Sequence, residues 1–278
     1  MLNTAVSLGR AGIPVEFISE IAADRTGEMI VRFLHQNQVG TRYIKRYEDG
    51  MSTIALALLD EKADATYSFY SKLPQERLVG PLPVPTQDDT ILFGSFYSIS
   101  DNIHEKIKTF LSIAVEHNAL VCYDPNFRMP HVEDLPKVLP RILENIAFAD
   151  IIRGSDEDFL HIFAIGEADD VYKTLNLRDS QVLIYTRSDE AVSIIKGRSK
   201  SVIPVPAIHP LSTIGAGDSF NAGMIYAMIK MNLNKEALNS QLSDDWGKIA
   251  TTAIRFSQNV CMSLDNYISL DFKFTPDR

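Results

Sequence analysis

Apolar residues recur along this chain with two different periods, and the switches between them lay out its elements. Phe220, Met224, Ala227, Met228 and Met231 return at three- and four-residue spacing, which predicts a helix starting at or just before Gly215. Ile249, Ala253, Phe256 and Val260 give a second apolar face over 246–261, and amphipathic helices are predicted over 103–117 and around 135–145. Small residues over 2–8 predict a first helix, followed by another at about 27–38. Short apolar runs bounded by turn residues predict strands at 15–19, 90–96, 119–123 and 181–186. This alternation predicts an α/β class with a doubly wound sheet. Between 42 and 71 the pattern changes. Runs at 53–59 and 65–70, joined by the polar turn 60–64 and preceded by 43–47, predict a small β-sheet set apart from the main domain. An ordinary hairpin packed on the core is the alternative. The Pro-rich stretch 74–85 leads back to the core.

At 278 residues the chain can bury a large core, as one α/β domain with an elaboration or as two small domains. Hydrophobic content of 45% with 23% charged residues fits an ordered globular protein. A net charge of −9 argues against a nucleic-acid or anionic-membrane surface, although it leaves room for a local basic pocket. Cys122 and Cys261 lie far apart with no CxxC pairing, as core thiols in a reducing cytoplasm would. The sequence has neither an apolar run of spanning length nor a signal-peptide pattern, so a cytoplasmic location is expected.

Candidate chemistry concentrates in 212–223, where Ser212-Thr-Ile-Gly-Ala-Gly-Asp-Ser-Phe leads into the predicted helix. The first N–H groups of a helix lack internal partners and carry the positive end of its dipole. Gly215, Ala216 and Gly217 leave space for an anion to approach them. An aspartate beside an anion site needs a reason. General-base work on a hydroxyl attacking a phosphoryl group is one, with Asp218 placed for it. A tight turn followed by a first-turn carboxylate fits the same residues. Other phosphate and metal motifs fail on inspection. No Gly-x-x-x-x-Gly-Lys-Ser/Thr occurs, Phe220 stands where a dinucleotide fingerprint needs Gly or Ala, and the six histidines show no metal-ligand spacing.

Thr213-Ile-Gly-Ala-Gly-Asp-Ser-Phe resembles the C-terminal signature of the ribokinase-like (PfkB) sugar kinases, usually Asp-Thr-x-Gly-Ala-Gly-Asp-x-Phe. Further segments match in the family's order. Asp124-Pro-Asn-Phe-Arg128 is similar to its Asp-x-Asn-x-Arg, 149–158 takes the place of its Asn-x-x-Glu, and 186–191 that of its Thr-x-Gly-x-x-Gly turn. The resemblance implies a three-layer α/β/α fold with a mostly parallel central sheet and a small β-sheet lid within about 41–72. Some such kinases dimerise through that lid. It implies ATP as phosphoryl donor and Mg²⁺ as its companion, with K⁺ in doubt because Ser212 replaces the usual Asp. It also implies Asp218 as base, with Gly215, Ala216 and Gly217 as anion hole. Asn3, Asn126 and Arg128 would face the sugar. Thr186, Thr213, Gln258 and Asn259 would lie near the nucleotide, and Asp158 near the metal, with an acidic helix N-terminus as an equal reading of Asp158.

The run Ser68-Phe-Tyr resembles fructokinase-like members, so a fructokinase-like hexose kinase is expected. Ribose, a deoxygluconate or a nucleoside are alternative acceptors. A non-catalytic sugar- or nucleotide-binding member is a reading from another class, motivated by the changed residues at 155, 158, 187–191 and 212. The family precedes Asn-x-Ala-x-x-Leu-x-x-Leu-Gly with a strand and a Gly-Gly turn, whereas here the matching segment begins at Asn3. The expectation is that the chain starts late relative to a natural one, because a missing interior strand would leave backbone groups unpaired.

Overall fold

The computed structural model describes residues 1–59, 65–127, 129–238 and 243–273. Helix α1 (Leu2–Arg10) is followed by β1 (Val15–Glu16), β2 (Ser19–Ala22), α2 (Arg25–Gln36), β3 (Val39–Gly40), β4 (Ile44–Tyr47), β5 (Met51–Leu59) and β6 (Ala65–Lys72). Then come β7 (Thr90–Gly94), α3 (Ser95–Ile99), α4 (His104–Glu116), β8 (Leu120–Asp124), α5 (Leu135–Phe148), β9 (Ile151–Ser155), α6 (Asp156–Phe163) and α7 (Ala168–Thr174). The chain continues through β10 (Val182–Arg187), β11 (Ala191–Lys196), β12 (Ser199–Pro204), α8 (Ala216–Lys230), α9 (Lys235–Leu238) and α10 (Ser243–Cys261). Two compact units result: Met1–Ile13 with Val84–Arg278, and Pro14–Pro83.

The first unit is built on a six-stranded sheet in the order β12-β11-β10-β9-β8-β7. Strands β7 to β10 run parallel, while β11 and β12 are antiparallel additions at one edge. Parallel strands are covered on both faces and so read as continuous apolar runs. Leu120, Val121, Ile151, Ile152, Val182 and Leu183 are accordingly sealed from solvent. The register sets Gly94 opposite Asp124 and Thr186 opposite Ser155, so the C-terminal ends of β7 to β10 line up along one edge. Ligand-binding residues of open α/β sheets gather at such an edge.

Helices α4 and α5 pack on β8, whereas α8 forms a group with α1 and α10. Helix α8 is apolar on nearly all sides, with Phe220, Ala222, Met224, Ile225, Ala227 and Met228 buried. Its backbone meets α10 closely at Gly223, where a Cβ would fall 2.7 Å from the Ala253 Cα. Phe256 closes that seam. It is fully buried, with its ring 5.3 Å from Tyr226 and 4.9 Å from Phe272. Truncating a sealed phenylalanine loses its transfer energy and leaves a cavity, so Phe256→Ala is expected to cost about 3–5 kcal/mol in urea unfolding. A loss below about 1 kcal/mol would mean that the seam is not packed as described.

In the second unit β1 pairs β3 and β2 pairs β4, both parallel, and β5 pairs β6 antiparallel. Asp24 caps α2 by accepting from the Gly27 N–H at 2.7 Å, and also accepts from the Ser52 N–H and hydroxyl, each at 2.8 Å. The Ser52 backbone bond, then the Gly27 bond, hold this half-buried carboxyl below the usual aspartate value. The helices and strands expected from periodicity are present within a few residues. The strand expected at 15–19 divides into β1 and β2, and the turn expected at 60–64 lies outside the described residues.

Candidate active site

Gly215 is the residue from which α8 starts, with φ +85, and a Cβ there would lie 2.3 Å from the Asn266 carbonyl oxygen. Glycine is therefore required for both conformation and space. Just before it, the Ser212 hydroxyl accepts from the Ile214 N–H at 3.2 Å, which folds the turn that delivers Thr213 to the site. The helix start opens onto a cavity of about 330 Å³ lined by Asp124, Asn126, Arg153, Thr213, Ile214, Gly215, Gly217 and Asp218. All of these residues belong to the first unit.

Asp218 is held by α1 and not by its own backbone. One carboxylate oxygen accepts from the Met1 amino group at 2.8 Å and the Thr4 hydroxyl at 3.2 Å, and the other accepts from the Asn3 side-chain amide at 2.9 Å. Burial pushes this carboxyl up, but the Met1 ammonium and the bonds from Asn3 and Thr4 outweigh it and leave the group below the ordinary aspartate range. A group with a lowered pKa remains ionised at neutral pH, the state in which it can accept a proton.

Asp124, at the end of β8, organises the opposite wall. One of its oxygens accepts from the Asn126 N–H at 3.0 Å, forming an Asx turn with Asn126 at φ +39. The other accepts from Arg153 at 3.1 Å and from the Asn221 amide at 2.5 Å. Burial raises the Asp124 carboxyl, with Arg153 opposing and Asp158 adding to the rise. Arg153 was not anticipated from the sequence. It sits in β9 and also donates to the Thr186 hydroxyl at 3.0 Å. The sequence signal for it is an arginine directly after the apolar pair Ile151-Ile152 of a strand run.

Several expected site residues occupy other positions. Asp158, expected beside a metal, forms a capping box for α6, with one oxygen accepting from the Ser155 N–H at 2.8 Å and the Ser155 hydroxyl at 2.6 Å. Its second oxygen accepts from the Phe127 N–H at 2.7 Å, and the side chain is sealed away from the cavity. Both oxygens are thus engaged by protein donors at the start of α6, the helix N-terminus reading of this residue. Thr186 is buried, accepts from Arg153 and is not among the residues lining the cavity. Gln258 donates to the Pro206 carbonyl at 2.7 Å and Asn259 accepts from the Ser269 N–H at 3.0 Å, so each braces a loop. Asn3 reaches the site through Asp218. Arg128 lies outside the described residues. In the turn after β10 the expected glycines are absent, and Ser188 takes a positive φ of 35.

The sequence matches the family model for pfkB family carbohydrate kinases over residues 1–262. It is 29% identical to a fructokinase of Rhizobium leguminosarum bv. trifolii, over 84% of this chain and 71% of that protein. With fructokinase-2 of Zea mays it shares 24% identity over 90% of this chain and 78% of the relative. Among solved structures, the fructokinase of Vibrio cholerae O395 in its fructose, ADP and calcium ion bound form superposes with a TM-score of 0.81 at 16% identity, covering 97% of this chain and 86% of that one. Aminoimidazole riboside kinase of Salmonella enterica gives 0.77 at 18% identity over 95% and 84%. At these identities the neighbours speak for the ribokinase-like fold alone. Among the described residues no helix is long and apolar enough to cross a membrane. A glycine-started helix facing a polar cleft, an ionised aspartate at its mouth and a sequence match running nearly from end to end agree with one another: the chain belongs to the pfkB family of carbohydrate kinases.

Proposed function

We propose that this protein transfers the terminal phosphoryl group of ATP to a hydroxyl of a fructose-like hexose. The observation that carries the reading is Asp218, a carboxylate lining a 330 Å³ cavity beside the open first turn of α8. In the reaction the sugar oxygen bonds to the γ-phosphorus as the bond from that phosphorus to the β–γ bridging oxygen breaks. Asp218 takes the hydroxyl proton, and ADP leaves with the bridging oxygen. The first-turn N–H groups meet the charge on the equatorial oxygens. Asn126, which lines the cavity, faces the acceptor in this reading. The names of the fructokinases of Rhizobium leguminosarum and Zea mays support fructose over ribose, a deoxygluconate or a nucleoside.

Mg²⁺ enters as the counter-ion of the nucleotide, since Asp124, Asp158 and Asp218 each have their carboxylate oxygens engaged by protein donors. Ser212 offers a neutral hydroxyl already bonded to Ile214, and K⁺ forms no part of the proposal. The buried free thiols Cys122 and Cys261 support a reducing compartment. The exposed Met51, Ile54 and Tyr70 on β5 and β6 support a homodimer through that sheet.

The expected result in a coupled ADP-release assay is sugar-dependent turnover, fastest with fructose. Tight sugar or ATP binding without ADP release from any sugar would replace this reading with a non-catalytic one.

A further inference from the structure

Arg153 is 8% exposed and has more hydrogen-bonding capacity than the protein uses. One terminal nitrogen donates to Asp124 at 3.1 Å and the other to Thr186 at 3.0 Å, while its Nε is buried without a hydrogen-bond partner. A guanidinium carries five N–H donors in a fixed plane, and leaving one buried and unmet is costly unless something else satisfies it. An arginine serving only as counter-ion to Asp124 would be covered on all sides. This one forms part of the cavity wall.

The opening above it is made by Gly217. A Cβ at that position would stand 3.1 Å from an Arg153 terminal nitrogen, so the missing side chain leaves the guanidinium facing the first turn of α8. The Phe220 ring lies 5.3 Å away and backs the charge on another side. Two independent sources of positive potential, a fixed cation and a helix N-terminus, thus converge on one volume. Meanwhile Asp158, the acid expected to recruit a cation, is engaged in capping α6.

We propose that Arg153 is the phosphate-facing cation of this cleft. It contacts oxygens of the nucleotide's triphosphate together with the first-turn amides of α8, a role that rests on the kinase reading above. The planar fork suits phosphate oxygens better than a point charge does. As the γ-phosphorus leaves the bridging oxygen, negative charge grows on that oxygen, and a cation held in place beforehand stabilises it without rearrangement. Asp124 and Thr186 are then positioning residues, which hold the guanidinium while it waits.

The test compares wild type with R153Q and R153K by calorimetric titration with tripolyphosphate, ATP and AMP, alongside thermal melts and sugar-dependent turnover. Expected for R153Q is a loss of about tenfold or more in affinity for tripolyphosphate and ATP, with AMP changed by less than about twofold. R153K keeps the charge without the fork and is expected to fall between R153Q and wild type, and it carries the test if R153Q does not fold. An ATP-to-AMP affinity ratio equal to that of wild type in a folded variant overturns the proposal, and so do equal losses for ATP and AMP. Absence of turnover in the wild type would overturn the kinase reading instead, and the affinity ratio would still decide the role of Arg153.

Discussion

Asp218→Asn is expected to lower kcat by a factor on the order of 10²–10⁴ while leaving the fold intact. The amide has nearly the same shape as the carboxylate, and the Thr4 hydroxyl can still donate to the backbone carbonyl of residue 218, 3.0 Å away. What disappears is the capacity to take a proton from an attacking hydroxyl. The substitution also removes a negative charge from the wall proposed to receive the nucleotide's phosphates, so ATP affinity should hold or improve. A fall in kcat without a rise in the KM for ATP separates a lost base from a collapsed site. Near-wild-type kcat in the variant would remove Asp218 from the reaction altogether.

Gly94→Ala should prevent stable folding, a loss beyond about 4 kcal/mol and outside the ordinary range for single substitutions. Gly94 ends β7 at φ +149, which L side chains rarely adopt. A Cβ there would fall 1.7 Å from the Asp124 carbonyl oxygen and 2.7 Å from its carbon, so the clash is with backbone that no rotamer change relieves. Gly94 and Asp124 are register partners, and separating them would pull β8 from the sheet just where Asp124 holds Arg153, Asn126 and Asn221. Circular dichroism and thermal melting of the purified variant decide the matter. A melting temperature within a few degrees of wild type would refute the close approach of β7 and β8.

What the sequence revealed, and what it concealed, follows from how each residue earns its place. Helices α8 and α10 were legible because a long helix sealed in a core must repeat its apolar residues with the helical period. The 215–218 turn was legible because glycines at a helix start are chemically unusual. Asn126 and Thr213 also line the cavity.

Strand β11 is not legible in the sequence, and β12 only in part, as the start of the Pro-punctuated extended run 202–211. Their stretch mixes charged and apolar residues, and β12 alternates between exposed and half-buried positions at a sheet edge, a weak pattern against Pro204 and Pro206. For Asp158, Ser-x-x-Asp reads equally as a helix cap and as a relic of an Asn-x-x-Glu site, and only the donors around it decide between them. Arg153 escaped notice because the meaning of a charge in a buried strand depends on partners 29 and 33 residues away along the chain. Gln258 and Asn259 stand beside each other near the end of α10, with no sequence pattern that fixes their partners. Their bonds to Pro206 and Ser269 come from loop geometry that periodicity does not carry.

The two oxygens of Asp124 look in different directions, one toward the loop bearing Asn126 and the other toward the guanidinium of Arg153. The halves of the cleft therefore hang from a single hinge pin and cannot be retuned one at a time. Any lineage or engineer that reshapes the loop after β8 will also disturb the hold on Arg153. Changes of sugar preference in this scaffold should then arrive in tandem with compensating changes around residues 153 and 221.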